Sequence, residues 1–332
     1  MNEQEIFDEA IKQIQEQFGK GSIAKLINEG NNVNIIPSGS LQLDKALGIG
    51  GYPKGRIIEI YGNESSGKST LALQAVASCQ KMNGKCAYID VEHSLDAKYC
   101  EANGIDLSKL LLAQPDSGEQ AFALIEALVK TGMIDLIIVD SVAALVPQAE
   151  IDGEIQDQTI GLHARLMSKG LRIIENLLAK YDTTIIFINQ IREKIGVMYG
   201  NNETTTGGRA LRFYSSIRME LKRVELIKRG TECVGIKSCA KIVKNKLAAP
   251  LCKAYIDIYF NEGIDHTMEI IDFALENGII EKRGAWYYFN EKKIGQGKEA
   301  TKQFLLNNID LFDEIKQASL NSQPKQKENK KA

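Results

Sequence analysis

The sequence predicts an α/β protein with a mostly parallel central sheet and a phosphate-binding turn where one strand meets its helix. Two observations carry that prediction. Residues 62–69 read GNESSGKS and fill the pattern G-x-x-x-x-G-K-[ST] at every fixed position, between a strand-like apolar run at 56–61 and a helix-forming run at 70–77. Beyond it, short strand-like runs at 85–91, 136–140 and 184–190 alternate with segments of helical period. The run Leu136-Ile137-Ile138-Val139 has no polar alternation, as expected of a strand covered on both faces of a parallel sheet.

The turn is suited to polyphosphate. Gly62 and Gly67 let backbone N–H groups converge where side chains would intrude, and the helix N-terminus beyond them favours negative charge. Asn63, Glu64, Ser65, Ser66 and Thr70 complete the cradle; Lys68 is placed to reach the β- and γ-phosphates and the Ser69 hydroxyl to ligate Mg²⁺. Such a site suits many users of ATP, including a ring-shaped motor or a small-molecule kinase.

Composition narrows the class. The chain has 332 residues, enough for a main domain with smaller appendages, and 44% hydrophobic with 25% charged residues is ordinary for a globular protein. No apolar run approaches the roughly 20 residues of a membrane span, and residues 1–20 carry no apolar signal region, so a cytoplasmic location is expected. The six cysteines form no C-x-x-C pair, and His93, His163 and His266 lie far apart, which argues against a metal cluster. A net charge of -2 excludes attraction of nucleic acid by the whole surface but leaves room for local basic grooves.

In chain order, residues 3–18 place Ile6, Phe7, Ala10, Ile11, Ile14 and Phe18 on one face of a helix. That stripe packs either on its own domain or on a neighbouring subunit. Ser117 and Gln120 mark a capping box. The strand at 85–91 delivers Glu92, either a base for water attacking a γ-phosphate or a solvated loop acid. Asp140, ending an apolar strand, is assigned to the metal opposite Ser69. Gln190 ends the next strand with a neutral amide able to sense the γ-phosphate. Residues 191–209 then mix glycines, hydroxyls and cations without a period, and such a long structureless loop is usually functional or disordered. A second irregular stretch, 150–160, precedes a helix at about 161–180 bearing Arg165, Lys169 and Arg172 on one face. The 191–209 loop suits single-stranded nucleic acid, and the basic helix face is either a track for its backbone or a solvated surface. Residues 266–320 read as a small α/β unit in which Trp286 is expected in the core.

These residues, with the segments 18–23 (FGKGSI), 64–70 (ESSGKST), 89–93 (IDVEH), 139–145 (VDSVAAL), 187–192 (FINQIR), 204–208 (TTTGG), 243–246 (VKNK), 284–287 (GAWY) and 293–298 (KIGQGK), resemble the RecA family of bacterial homologous-recombination ATPases almost end to end. The resemblance implies a RecA-type ATPase core at 31–265, an N-terminal helix and linker for subunit packing at 1–30, a small C-terminal domain at 266–320 that captures duplex DNA, and a disordered basic tail at 321–332. It implies a helical filament on single-stranded DNA that pairs with homologous duplex and exchanges strands, fuelled by ATP with Mg²⁺. Promotion of repressor self-cleavage in the SOS response and loader proteins as partners are implied likewise.

By the same resemblance Glu92 activates the attacking water, Gln190 couples the γ-phosphate to the long loop, Asp96 and Tyr99 lie beside adenine, and Lys244 and Lys246 reach the phosphates of an adjacent protomer. Stretches of about 153–160 and 191–209 become DNA-binding loops. Ile160, Gly161, Arg165, Ser168, Arg172, Ile195, Gly196, Val197, Met198, Thr206, Gly207, Gly208 and Arg209 become DNA contacts, and Phe213 a subunit-interface residue. Three positions depart from the family pattern: Asn63 where proline is common, Glu193 within the second loop, and a tail that is basic where an acidic one is frequent.

Overall fold

The computed structural model describes residues 2–19, 22–23, 33–154, 161–193 and 203–321, in two compact units, Met1–Asn34 and Ile35–Ala332. The first unit holds helix α1 (Glu3–Phe18), where Asn2 and Glu5 cap each other reciprocally. No residue of α1 is buried, and Ile6, Phe7, Ile14 and Phe18 are among the exposed large apolar side chains.

The second unit begins with strand β1 (Ile35–Ile36), helix α2 (Leu41–Leu47) and strand β2 (Tyr52–Pro53). The β-α alternation follows: β3 (Ile57–Gly62), α3 (Lys68–Lys81), β4 (Cys86–Asp90), α4 (Ala97–Ala102), β5 (Leu110–Ala113), α5 (Gly118–Lys130), β6 (Leu136–Asp140), α6 (Gln148–Ile151), α7 (Leu162–Leu178) and β7 (Thr184–Glu193). Then come β8 (Glu203–Thr205), α8 (Ala210–Tyr214) and the long strands β9 (Ile217–Arg229), β10 (Glu232–Asn245) and β11 (Lys253–Tyr259), closed by β12 (Gly263–Ile264). One sheet runs β12-β11-β10-β9-β3-β7-β6-β4-β5, with β8 paired to β7. It is parallel from β9 to β5 and antiparallel from β9 to β12.

The apolar runs are explained by two cores. Alternate residues of each parallel strand face opposite sides: Ile58, Ile60, Tyr88, Leu136, Ile138, Ile186 and Ile188 pack toward α2 and α3, while Ile57, Ile89, Ile137, Val139, Ile185 and Phe187 pack toward α5 and α7. A β-carbon on Gly170 would lie 2.5 Å from the Phe122 ring, so glycine is what lets α5 and α7 touch.

A smaller cluster closes the chain. Helix α9 (His266–Glu276), the antiparallel strands β13 (Glu281–Arg283), β14 (Trp286–Phe289) and β15 (Lys292–Gln296), and helices α10 (Gly297–Leu306) and α11 (Ile309–Asn321) bury Ile271, Tyr287, Phe289, Ile294, Leu305 and Ile315.

Three local expectations are corrected. Trp286 is not in this core: period two turns Tyr287 and Phe289 inward, leaving Trp286 38% exposed with the Lys293 ammonium 4.8 Å from its ring. Residues 191–209 are not structureless throughout, because β7 continues to Glu193 and pairs in register with β8. Gln120 meets the backbone N–H of Asp116 rather than that of Ser117, so only the serine half of the capping box forms.

Across the middle of the sheet lies a buried ion pair. Glu59 on β3, fully buried, bonds Arg218 on β9 and accepts from the Asn189 amide of β7 at 3.0 Å. Removing one member of such a pair strands the other charge, at a cost of about 3–5 kcal/mol. Glu59→Ala should therefore lower the denaturant midpoint more than Glu59→Gln, which keeps one acceptor oxygen for one of the two donors and fills the space; equal midpoints would contradict this assignment.

Candidate functional site

The candidate site lies at the carboxyl ends of the parallel strands, where β3, β4, β6 and β7 each hand over to a loop. Residues 62–67 turn between β3 and α3, with Gly67 in a left-handed conformation, φ 90°, at the helix N-terminus. A β-carbon on Gly62 would come 2.1 Å from the Leu221 carbonyl oxygen, and one on Gly67 2.3 Å from Ile258 Cδ1. Gly62 is thus required by the close approach of β9, and Gly67 by its left-handed backbone. No side chain caps α3, which leaves its first N–H groups directed at a ligand.

Within the turn, Lys68 Nζ donates to the Asn63 carbonyl at 2.7 Å and Ser66 Oγ to the same oxygen at 2.8 Å. Burial pushes the Lys68 ammonium below its ordinary range, opposed by the charges of Asp140, Glu92 and Glu64. Asn63 contributes a carbonyl that orders the turn, so the departure from proline removes no donor from the cradle's interior. The Ser238 hydroxyl of β10, fully buried, braces the turn from below by donating to the Ser66 carbonyl at 2.8 Å.

The carboxylates gather around this turn. Ser69 Oγ donates to Asp140 Oδ2 at 2.9 Å, and the buried Tyr88 hydroxyl donates to the same oxygen at 2.8 Å. Burial raises the Asp140 carboxyl above its ordinary pKa, against these two hydrogen bonds. A hydroxyl and a carboxylate side by side form a hard oxygen donor pair of the kind Mg²⁺ takes between phosphates. Glu92, exposed just past β4, accepts from Ser141 Oγ and faces Gln190 Nε2 at 3.5 Å, the outer limit of a hydrogen bond. Gln190 stands beside Gly62 in the parallel register, so the amide lies next to the cradle itself.

A cavity of about 240 Å³ adjoins Ser69 and Asp140 and is lined further by Leu95, Asp96, Tyr99 and Asn261. Tyr99 OH pairs with Thr70 Oγ1 at 2.8 Å, and Asp96 caps α4 by accepting from the Lys98 N–H at 2.9 Å. This is where the sequence reading placed a base.

The candidate nucleic-acid contacts converge on α7. Gly161 starts that helix at φ 83°, and Arg165, Ser168 and Arg172 lie exposed along it. After β8 the chain returns through Thr206, Gly207, Gly208 and Arg209, and a β-carbon on Gly208 would lie 3.0 Å from that of Ala164 on α7. The returning strand and the basic helix face thus form one surface. Ile160, Ile195, Gly196, Val197 and Met198, and the tail from 322, lie outside the described residues.

Lys244 and Lys246 do not line the cavity. Lys244 Nζ donates to the carbonyls of Arg212 and Phe213 at 2.8 and 3.0 Å, at the end of α8. Phe213 is 67% exposed. Sequence reasoning gave no role to Tyr88, Ser141 or Ser238. Only Ser141 stood in a quoted motif, and their partners lie 52, 49 and 172 residues away.

Comparison with known proteins shows the family. Residues 5–265 match the family model described as RecA N-terminal domain, and residues 268–321 match RecA C-terminal domain. Protein RecA of Malacoplasma penetrans is 55% identical over 316 residues, 95% of each chain. Protein RecA of Bacillus thuringiensis is 54% identical over 313 residues, 94% of this chain and 91% of its own, and that of Acholeplasma laidlawii 53% identical over 94% and 95%. The chain belongs to the RecA family, the nucleotide-binding, DNA-dependent ATPases that form filaments on DNA and act as recombinases.

Proposed function

We propose that this chain binds ATP and Mg²⁺ between the 62–69 turn, Asp140 and the Asp96–Tyr99 side of the cavity, and hydrolyses ATP when single-stranded DNA occupies the α7 surface. The observation that carries the reading is the meeting of Glu92, Ser141 and Gln190, which come from three adjacent strands, one of which continues into the DNA-facing hairpin. Ser69 and Asp140 would hold the cation, which supplies charge neutralisation between the phosphates. Glu92 accepts the proton of the attacking water, held in place by the Ser141 hydroxyl. Lys68 and the first N–H groups of α3 balance charge developing on the transferred group.

The same reading assigns the exposed stripe of α1 to docking on a neighbouring subunit, with Phe213 at that interface and Lys244 and Lys246 closing over the neighbour's nucleotide. Lys244 would leave its carbonyl partners to do so; burial and the nearby Lys246 already lower its pKa. Trp286, carrying Lys293 over its ring, offers the C-terminal domain a cationic aromatic contact for duplex DNA, while Arg283 over Tyr288 is held by Glu281 and Glu291. No helix among the described residues is long and apolar enough to cross a membrane. Action in the cytoplasm, with a self-cleaving repressor and loader proteins as further partners, is proposed from family membership.

Phosphate release measured with and without single-stranded DNA, followed by strand exchange with matched and mismatched duplex, tests the whole reading. Stimulation by DNA and dependence on homology are expected, and absence of both would overturn it. Glu92→Gln should lower the DNA-stimulated rate by about 100-fold or more while preserving ATP-dependent DNA binding, read by fluorescence anisotropy.

Asp140 gives a test in the cation-free protein. Its carboxyl is raised above the ordinary range, so its contribution to stability is present at low pH and is lost as pH rises through the raised value. At neutral pH Asp140→Asn should therefore raise the melting temperature and abolish the further rise given by Mg²⁺ with ADP. A lower melting temperature, or a retained Mg²⁺ effect, would contradict the assignment.

A further inference from the structure

We propose that His163 is a positioning residue that couples the nucleic-acid-facing surface to the hydrolytic carboxylate. It is the second residue of α7, two positions before the exposed Arg165. A hydrogen bond to the Val142 backbone holds the ring against the effect of burial; Nε2 is buried without a hydrogen-bond partner among the described residues, which leaves Nδ1 as the nitrogen we assign to that bond. Burial lowers the pKa of the ring and so holds it neutral, with one N–H to place. The bond to Val142 fixes where that proton sits.

Val142 follows Ser141, whose hydroxyl bonds Glu92, and Asp140, which faces Ser69. Gly207 packs against the same spot from the other side. A β-carbon there would lie 3.0 Å from Met167 Cγ, 3.2 Å from Val142 Cγ1 and 3.8 Å from His163 Cε1. Its neighbour Thr206 bonds Asn189, which adjoins Gln190, and Gln190 faces Glu92.

The contacts therefore close a ring. One arm leaves Glu92 through Gln190, Asn189 and Thr206; the other leaves it through Ser141, Val142 and His163; both arrive at Gly207. A nucleic-acid strand pressing on α7 or on the returning hairpin must move His163 or Gly207, and either movement reaches the carboxylate. The Gln190 arm alone passes only through the hairpin. His163 gives α7 its own connection.

The inference rests on Glu92 being the activating carboxylate, and the test separates the two. Asn keeps an N–H close to the position of Nδ1, Gln shifts it toward that of Nε2, and Ala removes it. His163→Ala and His163→Gln should each lower the DNA-stimulated kcat about tenfold, equivalent to about 1.4 kcal/mol. KM for ATP and Kd for single-stranded DNA should stay within about twofold, and His163→Asn should restore most of the rate. In combination with Ser141→Ala, His163→Ala should add little further loss, because both act through one arm.

The proposal is overturned if Asn is as impaired as Ala, if DNA affinity falls in proportion to kcat, or if all three variants match the parent. Glu92→Gln, measured in parallel, keeps the failures distinct. Full hydrolysis by Glu92→Gln would sink the reading of the carboxylate. Impaired Glu92→Gln with a normal His163→Ala would sink the role of His163 alone.

Discussion

The fully buried side-chain amide of Asn189 registers the cradle strand against the hairpin that leaves the sheet. Its Nδ2 donates to Glu59 on β3 and to the Thr206 carbonyl at 3.1 Å, while its Oδ1 accepts from Thr206 Oγ1 and the Gln190 N–H. Glu59 in turn is held by Arg218 of β9. Each of these groups, if left unmade in the interior, costs about 1–3 kcal/mol. The strands therefore shift together or not at all, and Gln190, one residue further along β7, inherits its position beside the cradle from that constraint.

The rest of the site follows from parallel strands ending at one edge. Burial on both faces fixes each strand so firmly that the residues just past its end are delivered to set places: the cradle after β3, Glu92 after β4, Ser141 after β6, and Gln190 within β7 where it outruns its neighbours. Close approach then forbids side chains at chosen points. Gly62 lies against the Leu221 carbonyl, Gly67 against the Ile258 side chain and Gly207 against the side chains of Val142 and Met167, so the phosphate turn and the β7–β8 hairpin both pack where glycine leaves room. A closely packed site transmits displacement with little slack.

How much of this was legible in the sequence depended on whether the chemistry acts locally. The cradle was legible because phosphate binding demands glycine, lysine and hydroxyl at fixed spacing, and the apolar strands because burial on both faces removes polar residues. Asp140 followed from its place at such a strand's end. The environment of Glu92 was not legible, since Ser141 and Gln190 lie 49 and 98 residues away and only the sheet order joins them. The β8 pairing escaped notice because Glu203, Thr204 and Thr205 show no apolar period. The antiparallel extension through β9 and β10 was missed because much of it alternates charged residues over an exposed face. Trp286 was misjudged because its type suggests burial, while its parity along β14 turns it outward.

The central claim is that DNA is felt at the nucleotide through the end of β7. It is tested most directly by the ratio of phosphate-release rates with and without saturating single-stranded DNA, in the parent protein and in Gln190→Ala. Loss of the stimulation ratio, with ATP affinity and the DNA-free rate unchanged, is the predicted result. A Gln190→Ala protein that kept the parent's ratio would contradict the account.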